Sequence, residues 1–281
     1  MKVQLRSTLS LLVLLLPATW GAAPALALAG AAQEPPKEEA PIQDERAEVA
    51  TLIEALAKQV DAKGKQDREA QGTLDALSTE FAKSGSKDRA AMVKAVARIL
   101  TVPRKDLAKD IPDEELKTYA GVILGRMGPE SADELIDHLG SKKLRECPKA
   151  HRAVVLALGQ TQVEKAVKPL LKLINDGDWA VAAAGAEALG SFTNVDQKVR
   201  KVIFDELLNR VIHLADIIET DQGQNNFGGA NDYEQMVKEF ETLRGPIRST
   251  LEKLTKHSEQ GFLQWRSWWN DNKKKDWDAA A

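Results

Sequence analysis

Val122-Ile123-Leu124-Gly125, Val154-Val155-Leu156-Ala157-Leu158-Gly159 and Ala183-Ala184-Gly185-Ala186-Glu187-Ala188-Leu189-Gly190 are three versions of one phrase. Each is a run of small and apolar residues closing on Leu-Gly, and the closing glycines lie 34 and 31 residues apart. A period in this range belongs to stacked helical units, each too small to bury its own apolar face. The phrase therefore predicts an all-α helical solenoid. It carries no chemistry of its own, because a solenoid binds along a face and the repeat does not name the ligand.

Helical spacing extends outward from this block. Asp113 stands where it can cap a helix carrying Leu116, Ala120, Ile123, Leu124 and Met127, with Gly128-Pro129 as its stop. Ala132, Leu135, Ile136 and Leu139 form its partner, up to Gly140. Pro148 opens a helix with Ala150, Ala153, Val154, Ala157 and Leu158 on one stripe. Val163 to Ile174 follows, with Pro169 early enough for its missing amide to cost little. Asn175-Asp176-Gly177-Asp178 reads as a turn with a capping aspartate before Trp179. Upstream, Val49 to Val60, Leu74 to Phe81 and Met92 to Leu100 mark three more helices, the last stopped by Pro103. Downstream, Val199 to Ile218 makes a long helix, residues 219–232 a loop, and Tyr233–Leu243 and Ile247–Lys256 two further helices.

The N-terminus has the order of an export signal. Lys2 and Arg6 precede the apolar run Leu9–Leu16, and Ala-x-Ala occurs at 25–27 and 27–29. The run is short for a membrane span, which sets cleavage above an uncleaved anchor. Residues 30–44, with Pro35, Pro36 and Pro41 among charges, read as a disordered linker. The chain thus divides into a signal at 1–29, a linker at 30–44, a repeat domain at 45–271 and a frayed tail at 272–281 in which Trp277 is exposed. Cleavage near Ala29 removes two positive charges, taking the formal charge from −3 to −5. That balance, with no basic block, disfavours a nucleic-acid partner. The expected location is periplasmic or secreted, with no transmembrane segment after cleavage.

The block from Val163 to Gly190 resembles HEAT-like repeats of the PBS-lyase type. The matching residues are Ala166-Val167-Lys168-Pro169-Leu170-Leu171, Asp176-Gly177-Asp178, Val181 and Ala186-Glu187-Ala188-Leu189-Gly190. The resemblance implies antiparallel helix pairs stacked in a right-handed α-α superhelix. It is good over residues 113–192 and looser over 45–112 and 196–257. The family's usual arginine is replaced by Lys117, His151 and Ala182 in successive repeats, which leaves more of the stacking to apolar packing. The C-terminus resembles the ending of exported bacterial HEAT-repeat proteins. Leu251-Glu252-Lys253-Leu254-Thr255 is followed by Trp265-Arg266-Ser267-Trp268-Trp269, with Lys256 where the family has glycine. Trp265, Trp268 and Trp269 share one side of a helix and suit a cap over the last repeat, packed on the helix ending at Leu254; the rival reading is an aromatic platform for sugars or peptides.

No catalytic constellation is legible. His138, His151, His213 and His257 are isolated, and no Cys/His cluster suggests zinc. Asp221 to Asp232 is rich in oxygen ligands but lacks the spacing of a calcium loop. Lys165, Lys168 and Lys172 could line one helix edge, with a solvated face as the default. Cys147, the single cysteine, cannot form an intrachain disulfide; it reads as a partly buried small residue, or as a reactive thiol or an intermolecular link. The reading that follows is a non-enzymatic scaffold of the cell envelope that binds another protein or peptide, with no catalytic, cofactor-binding or metal residues. Two alternatives stand beside it: a carbohydrate or envelope-polymer binder using the C-terminal tryptophans, and a lyase-like chromophore-handling protein with Cys147 or His151 as first suspects.

Overall fold

A computed structural model of the chain describes residues 43–104, 114–221 and 230–279. The export signal and nearly all of the linker lie outside the described residues, as do Asp113 and the heart of the oxygen-rich segment. Among the described residues there are twelve α-helices and no strand. They are α1 (Ala47–Asp61), α2 (Asp67–Phe81), α3 (Ser86–Arg98), α4 (Glu115–Arg126), α5 (Ala132–Leu139), α6 (Lys142–Arg145), α7 (Pro148–Gln160), α8 (Val167–Leu173), α9 (Trp179–Leu189), α10 (Gln197–Asp221), α11 (Ala230–Thr255) and α12 (Phe262–Asn272). The fold is an all-α helical solenoid.

The helices alternate between two layers. α2, α4, α7, α9 and α11 pack in succession on one side, while α1, α3, α5, α8 and α10 occupy the other. The Leu-Gly phrase sets the spacing of the first layer. A Cβ on Gly125 would stand 3.1 Å from the Ala157 Cβ. One on Gly159 would stand 2.6 Å from the Ala188 carbonyl oxygen, and one on Gly190 2.7 Å from Thr250 Oγ1. Each closing glycine is thus the seat of the next helix in its layer: α7 on α4, α9 on α7, α11 on α9. The first layer is the more closely packed of the two.

Most of the left-handed residues lie just beyond helix ends, Glu45 ahead of α1 being the exception. Gly128 and Gln162, three residues after Gly125 and Gly159, have φ of 72° and 52°, the usual device for ending a helix. Lys256 has φ of 56°. It occupies the place where the resemblance calls for glycine, and it adopts the glycine conformation at a side-chain cost of about 1–2 kcal/mol. Asp178 caps α9 as read from sequence, accepting from the Ala180 and Val181 amides at 3.0 and 3.3 Å.

Three readings of the outer segments need correction. Gln43 and Asp44 belong to the fold and not to the linker. The Gln43 carbonyl accepts from the Gly85 amide, and Asp44 Oδ1 accepts from the first-turn amides of Lys87 and Asp88. Asp88 returns the contact by accepting from the Glu45 and Arg46 amides ahead of α1 at 3.0 and 3.1 Å. Two carboxylates therefore exchange caps, satisfying helix amides that have no intrahelical partner. Next, α11 runs unbroken through Gly245-Pro246 where two helices were expected. The proline forfeits one amide hydrogen bond, but Leu243 and Ile247 are fully buried on either side of it, and the helix packs on both α9 and α10. The backbone of α10 also reaches Asp221 and α11 begins at Ala230, each inside the loop expected at 219–232, and residues 222–229 lie outside the described residues.

The tail is the third correction. Residues 273–279 dock on α10 instead of fraying. Lys201 Nζ donates to the Lys275 carbonyl at 2.7 Å, Gln197 bridges Asp276 and the Trp277 amide, and Arg200 pairs with Asp278. Trp277 is half-buried, its indole N–H donating to the Asn272 carbonyl at 3.2 Å. The tryptophans do form a folded cap, but its hub is Phe204 of α10. Ring centroids of Trp265, Trp268, Trp269 and Trp277 lie 4.9–5.9 Å from Phe204 or from one another. Leu254 is buried in the same apolar core. Sequence spacing put three tryptophans on one side of a helix, but not the phenylalanine sixty residues upstream.

Two outcomes test this account. Gly159→Ala forces a methyl group against the α9 backbone and should cost about 1–3 kcal/mol. Gly72→Ala, in α2 with nothing within 4 Å of the added carbon, should instead gain about 0.5–1 kcal/mol; denaturant titration of both variants reads the contrast. Trp265→Ala, at a fully buried ring, should lose about 3–5 kcal/mol, seen as a lower Tm.

Candidate functional site

Two adjoining hollows open on the face formed by the first layer. One, of 510 Å³, lies across α2, α4 and the start of α7, and includes Gln71, Glu115 and Tyr119. The other, of 260 Å³, lies between α4 and α7, and includes Arg152, Leu156 and Gln160. They share Thr118, Val122 and Lys149, so they form one groove across three repeats. The local sequence explains the floor. Gly121 and Gly125 let α7 approach α4, the core stripe of α4 turns inward, and Val122 is left facing out at 38% exposure. Leu156 is the half-buried counterpart on α7.

Polar contacts fix the rim. Tyr119 donates to Asp75 Oδ1 at 2.5 Å, and this bond, with burial, holds its phenol above the ordinary range. Gln71 Nε2 donates to Glu115 Oε1 at 3.1 Å. Glu114 Oε2 accepts from the Lys149 amide at 2.9 Å, so a carboxylate from one repeat caps the helix of the next. Arg152 reaches Glu187 of α9 at 2.6 Å. The groove therefore offers apolar contact along its floor and both donors and acceptors at its edges. On the opposite face a hollow of 520 Å³ lies among α1, α3 and α5, floored by Leu56 and Val60 and edged by Lys94, Arg98, Glu134 and His138.

The residues singled out from sequence do not converge on this groove. Cys147 is buried and accepts from Lys117 Nζ at 3.3 Å. His151 is 2% exposed and its Nε2 bonds the Leu139 carbonyl at 3.1 Å. Burial pushes the imidazole below its ordinary 6.5, with the carbonyl bond opposing. Lys117, His151 and Ala182, which stand in for the family's arginine, are all buried. Lys165 pairs with Asp133 at 2.5 Å, whereas Lys168 and Lys172 are exposed. His138 edges the opposite hollow, His213 is exposed, and His257 stacks on Trp268 at 5.2 Å. Asp221 and the side chains beyond it to Asp232 lie outside the description. Among the described residues no group of three or more His, Cys, Asp or Glu is placed to hold a metal. The sequence did carry one usable sign of the groove: Val122 and Leu156 are apolar yet lie off the core stripes of their helices.

Residues 100–190 and 132–207 match the family model for HEAT repeats. Residues 100–207 of the chain are therefore similar to HEAT repeats. The matched stretch contains α4 to α9, which includes all three Leu-Gly phrases and two of the three helices that form the groove. No curated protein and no solved structure matches the chain. Such repeats form a scaffold suited to protein binding, and no helix among the described residues is long and apolar enough to cross a membrane.

The placement of His151 has a consequence for pH. Its folded value is depressed, so below about 6.5 the unfolded chain takes up a proton that the fold resists. The stability present above that value should fall as pH drops through it. Comparing Tm for wild type and His151→Gln between about pH 7.5 and 5.5, the difference between the two should narrow toward the acid end, because glutamine keeps an amide donor for Leu139 but does not titrate.

Proposed function

We propose that this chain is a non-enzymatic scaffold of the cell envelope that binds a segment of another protein or peptide in the groove formed by α2, α4 and α7. The observation that carries the reading is the continuity of the groove: three repeats share it, and an exposed apolar side chain, Val122, lies where its two hollows meet. A bound segment would set an apolar side chain on Val122 and Leu156 and satisfy Gln71, Lys149 and Gln160 at the edges. The PBS-lyase kind of HEAT-like repeat is the closer description we favour, on the matching residues of α8 and α9. Export rests on Lys2, Arg6, the run Leu9–Leu16 and the small residues to Ala29.

The alternatives draw less support. A carbohydrate platform needs open indole faces, whereas Trp265 is fully buried and the other rings of the cluster pack on Phe204. A chromophore-handling role for Cys147 or His151 needs a cavity beside them, and neither lines any of the three hollows described.

Val122→Asp tests the reading. An exposed helix position should tolerate the change within about 0.5 kcal/mol of stability, while a charge in the groove should weaken a partner at least tenfold. Affinity capture from envelope fractions with wild type, Val122→Asp and Ala95→Asp on the opposite face is the measurement. A protein retained by wild type and Ala95→Asp but lost by Val122→Asp supports the groove; one lost only by Ala95→Asp moves the site to the other face. Mass analysis of the purified protein reads export directly, since cleavage leaves a chain beginning just after Ala27 or Ala29.

A further inference from the structure

Beneath the groove, α4 and α7 meet at a buried pair of reactive side chains. Lys117 is 5% exposed and Cys147 is 6% exposed, and Lys117 Nζ donates to Cys147 Sγ at 3.3 Å across 30 residues of chain. Among the described residues the sulfur is the sole hydrogen-bond partner of this ammonium, and no carboxylate pairs with it. A cation nine-tenths buried and aimed at a thiol is an unusual arrangement, because burial of an ammonium ordinarily demands a carboxylate. Lys117 thus holds a primary amine against sulfur in a site closed to larger molecules. The chain has no second cysteine to resolve an oxidised sulfur as an internal disulfide.

We propose that Lys117 and Cys147 form a modification site, at which hydrogen peroxide converts the contact into a covalent nitrogen–sulfur cross-link between α4 and the start of α7. Sγ attacks one peroxide oxygen: the S–O bond forms, the O–O bond breaks, and the leaving hydroxide departs as water with the thiol proton. The sulfenic acid then sits against the amine. Nζ, having released its extra proton to solvent, attacks the sulfur; the N–S bond forms, the S–O bond breaks, and a second water leaves with an amine proton. One thiol, one ammonium and one peroxide give one sulfenamide, two waters and one proton. Sulfur loses two electrons and the peroxide oxygens gain them. The same chemistry with a backbone nitrogen is a known fate of sulfenic acids; here the side-chain amine is already in contact. The cross-link closes a loop across two repeats and restrains the unfolded chain, which should raise stability.

The test uses wild-type protein, treated with hydrogen peroxide, digested without reductant and examined by mass spectrometry. The expected product is a peptide pair joined at Lys117 and Cys147, lighter than the two free peptides by two hydrogens and separated by dithiothreitol. The treated protein should melt at a higher temperature and return to the untreated value on reduction. Lys117→Arg keeps a cation but offers no free amine, and it should yield no joined pair. Sulfenic acid trapped by dimedone, sulfinic acid or a disulfide between two copies, with Lys117 still free, would each overturn the proposal, as would an unmodified thiol or a cross-link carrying an additional oxygen.

Discussion

The close approach between helices of one layer is the contact on which the rest of the architecture depends. At Gly125, Gly159 and Gly190 the side chain is absent because the next helix occupies its space. These glycines are not chosen for backbone freedom, since none of the three has a positive φ. The repeat in the sequence is therefore the repeat of a single contact. It sets the spacing of the layer built from α4, α7, α9 and α11, the face on which the groove lies. It also explains why alanine and glycine make up seven of the eleven residues of α9, which is caught between α7 and α11 and backed by α8. Dispersion falls steeply with distance, so small residues at close range can replace large ones farther apart.

A solenoid of this kind is weakest at its ends, where a repeat lacks a neighbour. The two ends solve the problem with different chemistry. At the first repeat, Asp44 and Asp88 exchange backbone caps and bind the entering chain to α3. Nearby, Arg104 pairs with Asp67 in a fully buried contact and donates to the Val60 carbonyl at 3.0 Å, joining the end of α1, the start of α2 and the segment after α3. At the last repeat the cover is aromatic and Phe204 is its centre. Trp265 is so enclosed that its indole N–H finds no acceptor, a cost of about 1–3 kcal/mol that the buried ring area must exceed.

The sequence allowed the helices to be read wherever spacing was local. α1 to α5 and α7 to α10 follow apolar periodicity and end at glycine, proline or a capped turn, all of which act within a few residues. The errors share a different cause. Nothing near Pro246 reveals that Leu243 and Ile247 are buried on either side of it in a helix packed on α9 and α10. Nothing near Trp277 reveals that Phe204, Gln197 and Arg200 await it some eighty residues away. Asp44 could not be assigned to the fold without knowing that the N-terminus of α3 lies against it. Each is a tertiary override of a correct local preference. The groove was hidden in part for the same reason: Val122 and Leu156 lie visibly off the core stripes in the sequence, but only the approach of α7 to α4 brings them together.

The positions that replace the family's arginine show how far a repeat can drift while its stacking contact is kept. An arginine repeated at Lys117, His151 and Ala182 could pair with acidic turns and stitch the stack through charge. In this chain the three positions are buried and chemically unlike. One donates to sulfur, one to a main-chain carbonyl, and one is a methyl group. Cross-repeat ion pairs do persist, as Arg89–Glu130, Arg145–Asp176, Lys165–Asp133 and Arg152–Glu187, but they sit at the solvent surface, where such a pair contributes about 0–1 kcal/mol. Cohesion therefore rests on the apolar seats, and those seats depend on the shape of the contact and tolerate changes elsewhere. That frees the interior polar positions from a shared structural duty, so the buried lysine, cysteine and histidine can differ from repeat to repeat, and chemistry particular to this chain can arise at them without loosening the stack.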